Sequence, residues 1–221
     1  MAPPADARPV KHAIKRLPRS FYLRPALRVA PELLGKYIVR CIGRTVLAGI
    51  IVETEAYRWD DPASHSYRGE TPRNKVMFGP GGFLYVYFTY GMHFCSNVVT
   101  GVDGVGEAVL IRAVEPVIGI ETMMQNRFAS RDSKPIGPGQ LKNLTNGPAK
   151  FCQAFAIARD ENGTDLRGEK IYIGELSPPL HRSSTRRNPP FRIGKSGRIG
   201  IAVAKEKLWR FFMKGNPWVS R

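Results

Sequence analysis

Two carboxylates stand two residues apart in a segment that otherwise has the composition of a β-strand. The segment runs Ile51-Val-Glu-Thr-Glu-Ala-Tyr57. Because side chains along a strand alternate between its faces, Ile51, Glu53, Glu55 and Tyr57 are predicted to share one face. Two acids on one face have two interpretations: a face exposed to solvent, or a carboxylate held in a pocket for acid–base chemistry. The residues of this segment alone leave both interpretations open.

Further candidate groups lie in a loop and in a strongly aromatic segment. Residues 58–82 are rich in glycine and proline and predict a long loop, which is either functional or disordered. The loop contains His65, which is either an exposed loop residue or a functional one. Residues 83–90 form the most aromatic stretch of the chain and are followed by a second apolar run at 92–99. This pattern predicts a β-hairpin with Tyr90 and Gly91 at its tip. An aromatic ring at such a tip is either an ordinary surface tyrosine or a wedge that enters a base stack.

The charge of the chain points to a polyanionic partner. Its 34 Lys and Arg residues against 18 Asp and Glu give a formal net charge of +16. Nucleic-acid-binding proteins have this balance, although ribosomal and membrane-surface proteins share it. The excess of basic residues argues against a metabolic enzyme with small neutral substrates.

Cysteine usage and hydropathy define the expected compartment. Cys41, Cys95 and Cys152 lie more than fifty residues apart and form no CxxC pair. This spacing argues against a zinc ribbon and a disulfide framework, and it predicts a reducing compartment. The sequence contains no apolar run of membrane-spanning length and no signal-peptide core. We therefore expect a soluble intracellular protein without a membrane association.

The remaining pattern predicts the elements that position these groups. Residues 1–20 are predicted to form a disordered basic arm, and residues 21–221 a single domain. Helices are predicted near 30–34, up to about 127 and over 148–157, and residues 129–146 are predicted to be loop. Strands are predicted at 37–42, 46–57, 83–90, 92–99, 107–114, 171–173, 199–204 and 208–213.

Basic residues without neighbouring acids are the candidate contacts to phosphate. Residues 181–198 carry six Lys and Arg residues and no acid, which is typical of either a phosphate-contacting strip or a solvated face. The free amide groups at the start of the predicted helix after Gly147 are a further candidate phosphate site. The candidate DNA-backbone contacts are Arg73, Lys150, Arg186, Arg187, Lys195 and Arg198.

A series of short motifs resembles the alkyladenine (3-methyladenine) DNA glycosylase family from about Phe21 onward. In order, the motifs are Val52-Glu-Thr-Glu-Ala-Tyr57, Ala63-Ser-His-Ser66, Thr71-Pro-Arg-Asn74, Leu84-Tyr-Val-Tyr87, Tyr90-Gly-Met92, Asn97, Leu110-Ile-Arg-Ala113, Asn146-Gly-Pro148 and Gly215-Asn-Pro-Trp-Val219. Each motif alone is weak, and their common order carries the resemblance. Together with the predicted strands and roughly three short helices, it implies one α+β domain with a curved, mainly antiparallel sheet.

The resemblance implies hydrolysis of the N-glycosidic bond of alkylated or deaminated purines in double-stranded DNA. It assigns Glu55 as the general base that activates water, and Arg112 and the Ile199 carbonyl as the groups that hold this water. The resemblance further implies that Tyr57, His65 and Tyr87 line the base pocket, that Tyr90 fills the gap in the duplex, and that Asn97 crowds the exocyclic amine of guanine.

Strand alternation does not show which of the two acids is the general base, but the resemblance does. Glu55 becomes the base, and Glu53 is left as a buried or rim partner of an arginine. We expect a monomer that uses no metal or cofactor, leaves an abasic site for downstream enzymes, and works in the bacterial cytoplasm or nucleoid, or in a nucleus. The alternatives are a non-catalytic basic DNA- or RNA-binding protein and a ribosome-associated protein. Neither explains acids on a strand face of a polyanion binder.

Overall fold

A computed structural model describes residues 13–89, 91–128, 138–176 and 191–220 of the 221-residue chain. Within these ranges, nine strands form one sheet, and five α-helices and two 3₁₀ turns surround it. The strands are β1 (Ile14–Arg16), β2 (Tyr37–Ile42), β3 (Thr45–Tyr57), β4 (Leu84–Thr89), β5 (His93–Thr100), β6 (Glu107–Ile118), β7 (Ile171–Leu176), β8 (Ile193–Ser196) and β9 (Arg210–Met213). The helices are α1 (Arg19–Tyr22), α2 (Ala26–Leu33), α3 (Ile120–Phe128), α4 (Pro138–Lys142) and α5 (Pro148–Ala154), and the 3₁₀ turns are Lys75–Phe78 and Arg159–Glu161.

The sheet is built around β3, the strand that carries the two carboxylates. The strand order is β1-β7-β2-β3-β6-β5-β4, and every pairing is antiparallel. The short strand β9 also pairs with β3, over Glu53 to Glu55, and β8 pairs with β9. The prediction of a single α+β domain with a mainly antiparallel sheet is confirmed, and three of the helices have seven or more residues.

The pairing of β3 with β6 is irregular where the carboxylates lie. The register shifts between Ile51 and Glu53 and again between Glu53 and Thr54, so that Val52 on β3 and Arg112 on β6 have no partner in the ladder. Such irregularities bend a strand and change the direction of its side chains. The result is that Glu53 and Glu55 both reach the guanidinium of Arg112.

The core lies between the sheet and the helices that cover it. Helix α2 buries Val29, Ala30 and Leu33 in the same cluster as Ile51 and Val52 of β3, and Phe151 and Phe155 in and after α5 join that cluster. The Thr54 hydroxyl donates a 2.9 Å hydrogen bond to the Ala30 carbonyl and so fixes the helix to β3. Every residue of β3 from Ile51 to Ala56 is buried. The interpretation of this segment as a strand with a solvated face is therefore wrong.

Three predicted segments differ from the structure. The predicted disordered arm overlaps ordered chain, since β1 pairs with β7 and both Ile14 and Leu17 are buried. The predicted loop at 129–146 contains α4, while residues 129–137 lie outside the described part of the chain. The predicted strand at 199–204 is an exposed loop. Residues 199–203 line a cavity and do not join the sheet. Among the described residues, no helix has both the length and the hydrophobicity to cross a membrane.

Candidate active site

The carboxylate of Glu55 has no exposed surface and is held by three groups. Its Oε1 atom accepts a 2.8 Å hydrogen bond from the backbone N–H of Ile199 and lies 3.3 Å from Arg112 Nη1. Its Oε2 atom accepts a 2.9 Å hydrogen bond from the hydroxyl of Tyr57. Each of these three residues also lines a cavity in the surface of the protein. Glu55 therefore lies directly behind the cavity wall.

Burial and the contacts of the Glu55 carboxylate shift its pKa in opposite directions. Burial raises its pKa, whereas the charge of Arg112, the N–H of Ile199 and the hydroxyl of Tyr57 lower it, and the net result is a raised pKa. A carboxylate with a raised pKa is a stronger base than an exposed one. The nearby charge of Glu53 contributes to the rise.

Arg112 connects the two carboxylates of β3. Its Nε atom donates a 3.0 Å hydrogen bond to Glu53 Oε1, and its Nη1 atom faces both Glu55 and the Ile199 carbonyl, which lies 3.5 Å away. The structure thus brings together the three groups that the family resemblance assigned to the hydrolytic water. The Ile199 backbone contributes in a way the sequence did not indicate, because its N–H binds Glu55 directly.

The loop that carries Ile199 is anchored by a buried ion pair. Arg198 donates to both carboxylate oxygens of Asp61 and, at 3.1 Å, to the Ala56 carbonyl. Its guanidinium lies over the Tyr57 ring, 4.7 Å from the ring centroid. Neither side chain of the pair has any exposed surface. The prediction that Arg198 contacts the DNA backbone is therefore wrong: its charge is used inside the protein.

The cavity has a volume of about 440 Å³ and is lined mainly by aromatic and small apolar side chains. Tyr57, His65 and Tyr87, which the family resemblance placed in a base pocket, line this cavity. The rings of His65 and Tyr87 pack edge to face, with centroids 4.5 Å apart. Tyr85, which the sequence did not single out, lies 3.1 Å from His65 Nδ1 through its hydroxyl. Cavities of 300–1,000 Å³ are typical of small-ligand sites.

The titratable aromatic rings of the cavity wall are held in their neutral forms. Partial burial lowers the pKa of His65, and the positive charge of Arg73 lowers it further. Burial raises the pKa of Tyr57 and of Tyr87, and the neighbouring carboxylate of Glu55 adds to both shifts. At neutral pH these three rings therefore present uncharged faces to the cavity.

Asn97 and Cys95 form the cavity floor on β5. Asn97 is buried and its side-chain amide donates to the Tyr85 carbonyl at 3.3 Å, so its position is fixed by the neighbouring strand. Cys95 is a free, buried thiol whose pKa is raised by burial. Both residues line the cavity.

The other predicted phosphate contacts have different surroundings. Arg73 is exposed at the cavity edge, with its guanidinium 6.0 Å from the Tyr87 centroid. Lys195 is exposed on β8. Lys150 is half-buried and donates to Asn143 and Asn146 at 3.2 and 2.9 Å. The predicted wedge Tyr90 and the predicted contacts Arg186 and Arg187 lie outside the described residues.

The sequence reasoning missed four residues of this site, namely Asp61, Tyr85, Arg210 and Ser220. Arg210 and Ser220 bind Glu53, and they lie 157 and 167 residues from it along the chain. Only Tyr85 had a signal in the sequence, since it alternates with Tyr87 on the same strand. Within the described ranges, no group of three or more His, Cys, Asp and Glu residues is arranged to hold a metal ion.

The chain is similar to known proteins over most of its length. A family model described as methylpurine-DNA glycosylase matches residues 20–217. A protein of Carboxydothermus hydrogenoformans is 48% identical over 206 residues, which cover 93% of this chain and 98% of that protein. A protein of Clostridium acetobutylicum is 45% identical over 210 residues, with 93% and 97% covered. Both carry the name "Putative 3-methyladenine DNA glycosylase". The chain therefore belongs to the methylpurine-DNA glycosylase family.

Proposed function

We propose that this protein excises alkylated or deaminated purines from double-stranded DNA in base excision repair. The proposed substrates are 3-methyladenine, 7-methylguanine, hypoxanthine and ethenoadenine, and the product is an abasic site that downstream enzymes process inside the cell. One observation carries the proposal: a buried carboxylate with a raised pKa, Glu55, is held behind an aromatic cavity by the same residues that line it.

The aromatic cavity supports binding of an extruded base. A base inside a duplex is inaccessible to a buried carboxylate, so the nucleotide must rotate out of the stack at a cost of a few kcal/mol. Stacking on an aromatic ring returns about 1–3 kcal/mol per base. A cationic base such as 3-methyladenine gains up to about 2 kcal/mol more from the electron-rich faces of Tyr57 and Tyr87. His65 stays neutral and therefore does not repel the cation.

Glu55 is the proposed general base. A water held by Arg112 Nη1 and the Ile199 carbonyl transfers a proton to the Glu55 carboxylate, and its oxygen forms a bond to C1′ of the sugar. The C1′–N bond breaks, and its electron pair leaves with the purine. A cationic alkylated purine departs neutral in this way, whereas a neutral purine such as hypoxanthine also takes up a proton from solvent. Alkylation makes the base a good leaving group, so one carboxylate suffices where ordinary glycosidases need a second acid.

The remaining sequence assignments complete the proposal. Asn97, fixed on the cavity floor, crowds the exocyclic amine of guanine, and Tyr90 fills the gap left in the duplex. Arg73, Lys150 and Lys195, together with Arg186 and Arg187, contact the DNA backbone. The described residues that line the cavity include no lysine, so we propose hydrolysis without a Schiff base and without strand cleavage.

A Glu55→Gln variant tests the proposal. Release of 3-methyladenine or hypoxanthine from a single-lesion duplex is expected to fall by at least about 10²-fold, the scale of general-base catalysis. Binding to the same duplex is expected to persist, because glutamine keeps the shape of the side chain. The matched control is Glu161→Gln, which alters a buried carboxylate paired with Arg40 and Lys170 outside the site. Base release by Glu55→Gln at the rate of this control would refute the proposal.

A further inference from the structure

We propose that Glu53 is a positioning residue, which together with Ser220 fixes the guanidinium of Arg112 so that Nη1 points to Glu55 and the Ile199 carbonyl. The inference rests on the proposed function, in which this Nη1 group helps to hold the attacking water. It assigns a role to the second carboxylate of β3, which strand alternation placed beside the base without distinguishing the two.

The hydrogen bonds of Glu53 indicate a fixed structural carboxylate. The side chain has no exposed surface. Its Oε1 atom accepts from Arg112 Nε at 3.0 Å, from Arg210 Nε at 2.6 Å and from the Ser220 hydroxyl at 2.8 Å, while Oε2 accepts from the Ser220 N–H at 2.6 Å. Four donors occupy its two oxygens, so Glu53 is placed to accept hydrogen bonds from the protein and not to bind the attacking water.

The geometry of the arginine makes the effect of Glu53 directional. A guanidinium is planar and its donors form a rigid fork, so fixing one edge sets the direction of the others. Glu53 binds Nε, and the Ser220 hydroxyl lies 3.4 Å from Nη2. Only Nη1 then remains to face Glu55 and the Ile199 carbonyl. Because Arg112 lies where β6 has no ladder partner, its direction depends on these side-chain contacts.

Arg210 adds a second positive charge beside the two carboxylates that Arg112 contacts. Its Nε atom binds Glu53, and its Nη2 atom donates to the Ser220 carbonyl at 3.0 Å. The cluster thus contains two carboxylates and two guanidiniums. Because Arg210 also neutralises the charge of Glu53, the positive charge of Arg112 still stabilises the charge of Glu55. The segment that carries Ser220 is held in place by Asn216, which donates to Glu115 at 2.7 Å.

The first test compares Glu53→Gln with the control Glu161→Gln in single-turnover base release. Displacement of a positioned group by about 1 Å costs up to about 10²-fold in rate, and a loss of 10- to 100-fold is expected for Glu53→Gln. The affinity for the lesion duplex should not change. Ser220→Ala keeps the backbone N–H contact to Glu53 and should slow release by about threefold to tenfold, which also covers the case that Glu53→Gln does not fold.

The second test asks whether Glu53 acts through Arg112. Arg112→Ala is expected to release the base slowly, and added guanidinium ion should partly restore its rate. The double variant Arg112→Ala with Glu53→Gln should release the base no more slowly than Arg112→Ala in buffer. Added guanidinium ion should not restore the rate of the double variant. Three results would overturn the inference. The rate losses of the two single variants could multiply in the double variant, or guanidinium ion could rescue Arg112→Ala and the double variant equally. The third result is a parental rate in both Glu53→Gln and Ser220→Ala. Parental rates in these two variants, with Glu55→Gln inactive, would leave the proposed function intact.

Discussion

The hydroxyl of Tyr57 donates a 2.9 Å hydrogen bond to Glu55 Oε2, and the ring of the same tyrosine lines the cavity. One side chain thus contacts both the proposed base-binding space and the proposed catalytic carboxylate. The guanidinium of Arg198 lies over the same ring, 4.7 Å from its centroid. The contact with Arg198 and the hydrogen bond to Glu55 together fix the position of the Tyr57 side chain.

Tyr57→Phe is expected to move the acidic limb of the pH–rate profile to higher pH. The Tyr57 hydroxyl lowers the pKa of Glu55, so its loss should raise a pKa that burial already holds above the ordinary value. Glu55 accepts a proton only when ionised, and therefore the rate falls as the pH drops through this pKa. The plateau rate should change by less than about tenfold, the scale of one hydrogen bond, because the ring is retained. An acidic limb at the parental pH or below it would contradict the prediction.

Arg73→Gln is expected to raise the pKa of His65. Partial burial is the larger cause of the lowered pKa and remains in the variant, but the repulsion from the Arg73 charge is removed. The imidazole should then become charged at a higher pH than in the parent. Titration of the His65 ring signals by NMR measures the change, and Arg68→Gln, a change at an exposed arginine of the same loop, is the control. A lower His65 pKa in Arg73→Gln than in the parent would exclude this coupling.

Asp61→Asn is expected to destabilise the fold by about 3–5 kcal/mol, because it leaves the buried charge of Arg198 without its partner. Asp165→Asn, which breaks the half-exposed ion pair with Arg19, should cost about 0–1 kcal/mol. Chemical denaturation of both variants measures the difference. A loss for Asp61→Asn no larger than that for Asp165→Asn would show that the buried pair is not needed.

The pH dependence of this contribution follows from the same contacts. Burial alone would raise the pKa of Asp61, but the hydrogen bonds and charge of Arg198 outweigh it and lower the pKa below the ordinary 3.8. The stabilisation is therefore fully present above pH 3.8 and is lost as the pH falls through the lower pKa of the folded state. In Asp61→Asn, stability should lose this acid-dependent component.

The sequence predicted the strands and the closeness of Glu53 and Glu55 better than the groups that bind these two carboxylates. Alternation along β3 brought Glu53 and Glu55 together, and the family resemblance selected Glu55. Arg210 and Ser220 were not predicted, because contacts over more than 150 residues of chain leave no local pattern. The basic run at 181–198 was misleading for Arg198, since its partner Asp61 lies 137 residues earlier. A run of basic residues predicts a solvent-exposed surface only where no buried acid forms an ion pair with a member of the run.

Lys195→Gln is expected to reduce the salt dependence of DNA binding. Each phosphate contact adds about one unit to the slope of log affinity against log salt, so loss of one contact should flatten the slope by about one. Lys195 is exposed on β8, four residues before Ile199, whose N–H binds Glu55. Under the proposed function this position lies near the DNA that delivers the base. Arg44→Gln is the control, because this exposed arginine precedes β3 at the end opposite Tyr57, about 40 Å away along the strand. Affinities for a lesion duplex between about 50 and 200 mM salt give both slopes. Equal slopes for the two variants would mean that Lys195 contributes only to the general positive charge, and the contact surface would then have to be sought at Arg73 and Lys150.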